Sequence, residues 1–222
     1  MKKSVYSLVL SDSVVEAVDR AAYLKGQSRS NFINNVLAEH LSFVTPEKRM
    51  RNIFDVLESI ALNEEVFRIQ KQQSDSMFSL LSSLSYKYRP TIRYQIELFP
   101  AADHGTIGEL KIIYRTQSAD FEHLMKTFFV LWAKREQAFV GNVFSKSPIK
   151  YGVAEGKLTR TIKFSAGKRI SEGDLAKAIS DYIQIFDRSL KEYIPYFPDE
   201  KYANRIIDKE YSKYLKQSTT LI

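Results

Sequence analysis

Residues 4–44 set a strand, a capped helix, a glycine and a second capped helix in immediate succession, and few folds accept that order. Ser4-Val5-Tyr6-Ser7-Leu8-Val9-Leu10 is rich in β-formers. Ser11-Asp12-Ser13 then offers side-chain oxygens to the free N–H groups of a helix start. Ser13 with Glu16 also fits a capping box, so the start is open by two residues. The helix that follows turns Val15, Val18 and Ala22 to one face, with Val14 and Ala21 beside them. Gly26 closes it, as the residue that takes a left-handed C-terminal conformation without cost. Ser28 caps a second helix with the stripe Phe32, Ile33, Val36, Leu37, Leu41 and Val44, and Pro46 ends it.

Leu10-Ser11-Asp12-Ser13-Val14, Gly26, Ser28-Arg29-Ser30 and Ile33 resemble the ribbon-helix-helix DNA-binding family of Arc, MetJ and CopG. The resemblance covers roughly the first fifth of the chain. A helix-turn-helix is the rival reading, and it leaves the strand without a role. The resemblance implies a homodimer through residues 4–44, in which two strands pair about a two-fold axis and enter the major groove of double-stranded DNA. A strand's period of two sends Tyr6, Leu8 and Leu10 to the dimer core. Val5, Ser7 and Val9 then face the bases, with Lys3 beside them, and a register shifted by one residue is the alternative. Family members place polar or basic residues on this face, whereas two of these three are valines, which suits thymine methyl groups. The resemblance also implies phosphate contacts at the start of the second helix, from Ser28, Arg29 and Ser30, joined by Lys2.

The chain of 222 residues carries a formal charge of +7, which favours polyanionic partners. The first 45 residues hold little of that charge: Lys2, Lys3, Arg20, Lys25 and Arg29 stand against Asp12, Glu16, Asp19 and Glu39. Most of it lies in Lys146, Lys150, Lys157, Arg160, Lys163, Lys168 and Arg169, with only Glu155 between them. Lys157, Arg160, Lys163, Lys168 and Arg169 are therefore candidates for a second set of DNA backbone contacts, against the plain alternative of a solvated charged face. The absence of cysteine excludes a disulfide scaffold, thiolate metal sites and a cysteine nucleophile, and it fits a cytoplasmic protein. No apolar run reaches the ~18 residues of a membrane span, and no signal-peptide pattern follows Met1-Lys2-Lys3.

Beyond Pro46 a helical connector is expected over 47–89. Ile53, Val56, Leu57 and Ile60 recur at helical spacing. Val66, Phe67 and Ile69 suggest a second helix over 64–73, and Met77, Leu80, Leu81 and Leu84 a third over 74–88. From Pro90 to residue 222 the pattern is that of an α+β domain with an antiparallel sheet and helices on one face. Ile92, Tyr94, Ile96 and Leu98 alternate with polar residues, and Leu110, Ile112 and Tyr114 form the partner strand across a loop at 100–105. A helix follows around Phe121–Arg135, then a strand at 158–164, a long helix after Ser171 and a last helix over 199–215. The overall expectation is α+β: a ribbon-helix-helix unit over 1–46, the connector over 47–89 and an α+β domain over 90–222.

No phosphate loop, metal-ligand spacing or nucleophile elbow is present. His40, His104 and His123 sit in no metal spacing, and no carboxylate pair is placed for acid–base work. Neither an enzyme, a cofactor nor a metal site is expected. The sequence points to a dimeric, sequence-specific DNA-binding protein, most simply a transcriptional repressor. The alternatives are a plasmid or phage DNA-maintenance factor, and an antitoxin-like protein-interaction module. Whether the C-terminal domain takes an effector or a protein partner stays open.

Overall fold

The computed structural model describes residues 5, 7–70, 74–145, 147–163, 170–218 and 220–222. The chain divides into two compact units, Met1–Arg49 and Met50–Ile222.

In the first unit, α1 (Asp12–Leu24) and α2 (Arg29–His40) are joined by a tight turn. Gly26 makes that turn at φ +61°, a region where a Cβ is strained although the space beside it is open. The Gly26 N–H donates to the Tyr23 carbonyl and the Gln27 N–H to the Ala22 carbonyl, which satisfies the end of α1. Ser28 caps α2, its Oγ accepting the Asn31 N–H at 3.3 Å. Thr45 does the same for α3 (Pro46–Leu62), accepting from Lys48 at 3.2 Å. The division between the units falls within the first turn of α3.

The second unit is α+β. Its six strands are β1 (Phe67–Gln70), β2 (Met77–Ser83), β3 (Thr91–Asp103), β4 (Thr106–Ile113), β5 (Tyr151–Ala154) and β6 (Lys157–Lys163). They lie in the order β1-β2-β3-β4-β6-β5, with every pair antiparallel. Three further helices complete the unit: α4 (Ala119–Val140), α5 (Glu172–Tyr193) and α6 (Glu200–Gln217).

Alternation along the strands decides which face is covered. Phe78, Leu80, Ile92, Tyr94, Ile96, Leu98, Leu110, Ile112, Leu158 and Ile162 are buried in one cluster with α3, α4, α5 and α6. Ring contacts knit this layer: Phe54 of α3 stacks on Phe78, and Phe186 of α5 meets Tyr94, Phe128 and Trp132. The intervening residues, Arg93, Gln95, Glu97, Glu109, Lys111, Ile113, Thr159 and Thr161, are only half-buried. The opposite face of the sheet is therefore left open and polar.

Three expected elements differ. The segments expected as second and third connector helices contain β1 and β2 instead, so the region 47–89 is helical only through α3. Met77, Leu80, Leu81 and Leu84 fit a helical period, but Phe78, Leu80, Ser82 and Leu84 fit a strand period equally well. Pairing with β3 over Met77–Ser83 decides between them. The expected loop at 100–105 is mostly strand, since β3 runs on through Pro100 to Asp103. The turn is His104-Gly105, both residues with positive φ.

Candidate nucleic-acid interface

The expected base-reading face begins with residues that bury nothing. Residues 5 and 7–10 adopt no regular secondary structure. Val5 and Val9 are 99% and 102% exposed, and Ser7 is exposed too. Leu8 and Leu10, expected on the core side, are 60% and 41% exposed. Lys2, Lys3, Ser4 and Tyr6 lie outside the described residues. The helices repeat the pattern. Among the described apolar residues of this unit only Ala22 and Ala38 are buried, while Val14, Val36, Leu37, Leu41, Phe43 and Val44 are exposed. Within α2 the stripe is thus half-buried at Phe32 and Ile33 and exposed at Val36 and Leu37.

At the start of α2, Ser28 is spent on capping and Ser30 is exposed. The first backbone N–H groups of a helix have no partner inside it, so this end retains donors and a positive dipole end. Arg29 is committed elsewhere: its Nε and Nη2 donate to the two carboxylate oxygens of Asp19 on α1. This pair neutralises the cation expected to hold a phosphate. Asp19 and Arg29 stand ten residues apart across the Gly26 turn, a spacing that periodicity along one helix does not flag.

The second basic set is dispersed by the fold. Arg160 is not a backbone contact: it is 1% exposed, on the core face of β6 with Leu158 and Ile162. Its Nε and Nη2 donate to Glu136 Oε1 at 3.0 and 2.7 Å. The guanidinium lies over the Tyr182 ring at 4.3 Å, and Nη2 also donates to the main-chain carbonyl of Ile222. Lys163 is buried as well, with Nζ donating to Ser147 Oγ at 2.6 Å. Desolvation holds its pKa below the ordinary value, and the nearby charge of Lys150 acts the same way. The two corrections have different causes: strand parity turns Arg160 inward against α4, whereas Lys163 has the parity of the other face and is covered where it meets Ser147. Lys157 remains exposed, while Lys168 and Arg169 lie outside the described residues.

Sequence reasoning also missed the centre of the unit. Glu136 on α4 is fully buried and accepts from Tyr182 at 2.7 Å and Tyr211 at 3.0 Å in addition to Arg160. Trp132 Nε1 donates to the Tyr182 hydroxyl at 2.8 Å. This cluster has the residue types of a site, but its hydrogen bonds are closed upon one another and all four of its titratable side chains are buried. It is a structural network. Among the described residues no group of three or more His, Asp or Glu could hold a metal, and no helix is long and apolar enough to cross a membrane. No protein-family model matches the chain, and comparison with curated proteins and with solved structures gives no match.

The buried tyrosines generate a pH prediction. Burial, then the Glu136 charge, raises the pKa of Tyr182 and Tyr211 well above the ordinary value near 10; burial, then Asp187, does the same for Tyr94. A raised folded pKa gives stability that is full below the unfolded value near 10 and is lost as pH climbs toward the folded one. On alkaline titration these three phenols ionise only as the fold is lost. Absorbance at 295 nm recorded with far-UV circular dichroism checks this, and a single tyrosine wave near pH 10 with ellipticity intact would contradict it.

The Asp19–Arg29 pair generates another. On the expected phosphate role of Arg29, Asp19→Asn releases the guanidinium and raises affinity for duplexes of any sequence, and Arg29→Ala in that background removes the gain and lowers the salt slope by about 1. Salt-dependent anisotropy on random-sequence duplexes measures both. Opposite shifts, or effects confined to one sequence, would show that Arg29 does not meet a phosphate.

Proposed function

We propose that the chain is a homodimeric, sequence-specific double-stranded DNA-binding protein, most simply a transcriptional repressor, that reads the major groove with a two-stranded ribbon. One observation carries this reading. The first unit has two helices, the second capped by Ser28, yet its described apolar residues from Val5 to Val44 are largely uncovered. A fully buried leucine or valine is worth about 1.5–3 kcal/mol relative to an exposed one, so such a unit gains strongly from a second copy. Backbone N–H and C=O groups of residues 4–10 also need partners, and the same segment of a second chain supplies them antiparallel about a two-fold axis.

In the dimer Leu8 and Leu10 enter the shared core with the stripe of α2, and Val5, Ser7 and Val9 line the outer face. Ser7 exchanges hydrogen bonds with base edges, and the valines meet thymine methyl groups. The start of α2 sets the register on the phosphates through its backbone N–H groups.

Leu8→Asp places a charge in the shared core, so the variant is monomeric and loses sequence-specific binding while the second unit keeps its thermal transition. Analytical ultracentrifugation and calorimetry test this, and a dimer that survives the change rules out the ribbon. Val9→Ser alters the sequence recovered from a random DNA pool, with a discrimination change of about 1–3 kcal/mol at one base pair and little change in nonspecific affinity. Recovery of the wild-type sequence would remove Val9 from the reading face.

A further inference from the structure

The open face of the sheet carries cations in a line. Strand register sets Arg68 opposite Leu81, Leu81 opposite Arg93, Arg93 opposite Ile113 and Ile113 opposite Lys157. The row crosses β1, β2, β3, β4 and β6, with a cation on every second strand. At ~4.8 Å between strands, successive cations stand ~10 Å apart and the row spans ~20 Å.

These charges are unspent. Among the described residues Arg68, Arg93 and Lys157 have neither a salt-bridge nor a side-chain hydrogen-bond partner. Two of the acids on the same face are already engaged: Lys111 holds Glu97 at 2.7 Å and Glu109 at 3.4 Å. The Arg93 Nε–H is out of contact with solvent and makes no hydrogen bond, and Gln70 Oε1, one row away, is in the same condition. These are two of seven buried side-chain atoms without a partner among the described residues, and a hydrogen-bonding ligand on this face would meet both.

Chemistry narrows the occupant. The face offers Leu81, Ile113 and Met77 as its larger apolar side chains, too few for a second sheet to pack on as a core. The row and its neighbour, Gln70, Ser79, Gln95, Lys111 and Thr159, contain no aromatic ring on which a base could stack. Spaced cations flanked by amide and hydroxyl groups match a repeating anion. We infer that the open face of this sheet binds the phosphodiester backbone of nucleic acid without reading its sequence, through Arg68, Arg93 and Lys157. Sequence preference comes from elsewhere in the chain, and this surface stands whether or not the ribbon reading holds.

The test uses the full chain and two fluorescent probes, a random-sequence DNA duplex and a single strand of equal length, titrated over a range of salt. Arg68→Gln/Arg93→Gln/Lys157→Gln lowers affinity by about tenfold or more on at least one probe and reduces the salt slope by about 2–3. A matched loss of three charges on other exposed positions, Arg115→Gln/Lys126→Gln/Lys134→Gln, leaves the slope near wild type, and Arg68→Lys/Arg93→Lys restores binding. Equal effects of the two triple variants reduce the result to net charge and overturn the inference. So does an unchanged slope on both probes, or a wild-type chain that binds neither. Failure of the ribbon reading appears in a separate measurement, as the absence of any preferred sequence in a random pool.

Discussion

Glu136 lies in the last turn and a half of α4, where water does not reach it. A carboxylate in that position costs several kcal/mol unless a cation and further hydrogen bonds meet it. Arg160 from β6, Tyr182 from α5 and Tyr211 from α6 do so together. The requirement is geometric as much as energetic. A slide of α5 by one turn, about 5.4 Å, would withdraw the Tyr182 hydroxyl and strand both Glu136 Oε2 and the Trp132 N–H. One buried charge therefore fixes the sheet and three helices in a single register, where apolar side chains alone would tolerate neighbouring arrangements.

The two units stand at opposite ends of the same rule. In the second, four helices cover one sheet face, and most large apolar residues of the strands go there, with Met77, Leu81 and Ile113 left on the other face. In the first, Ser28 caps α2 and the Gly26 turn is well formed, but local structure outruns burial. Capping contributes about 1 kcal/mol at each end, which orders a helix without giving it a core. That imbalance is a property of the chain taken singly.

Much of the second unit was legible. Ile92 to Leu98 alternate strictly, and the hairpin, α4, α5 and α6 follow where periodicity and capping residues such as Ser171 and Asp199 place them. The expected helices at 64–73 and 74–88 failed because short apolar runs satisfy two periods at once, and only the strand partners, β2 for β1 and β3 for β2, separate them. Arg160 was misplaced although its own strand held the answer. Parity puts it with Leu158 and Ile162, and a charge there demands a buried partner that a list of nearby basic residues does not reveal. The row of Arg68, Arg93 and Lys157 was beyond reach, since three cations far apart in sequence meet only through sheet order. In the first unit two helices flank the Gly26 turn as expected, but α2 stops at His40 short of Val44, Pro46 opens α3 instead of ending α2, and Ser11 makes no side-chain cap; the Asp19–Arg29 pair depends on how two helices cross and has no one-dimensional signature.

The sheet order has a consequence in time. Strands β1 to β4 pair with their immediate successors, so this meander closes from short loops. The β4–β6 pairing spans all of α4 and β5, a long closure of the kind that slows folding. A chain made from its N-terminus passes through a stage in which α4 has left the ribosome and β6 has not. At that stage the edge of β4 is unpaired and Glu136 lacks its guanidinium, so the half-made domain offers both a bare strand and an unneutralised acid to its surroundings. Arrival of β6 removes both at once, leaving α5 and α6 to close the core and bring the Tyr182 and Tyr211 hydroxyls to Glu136.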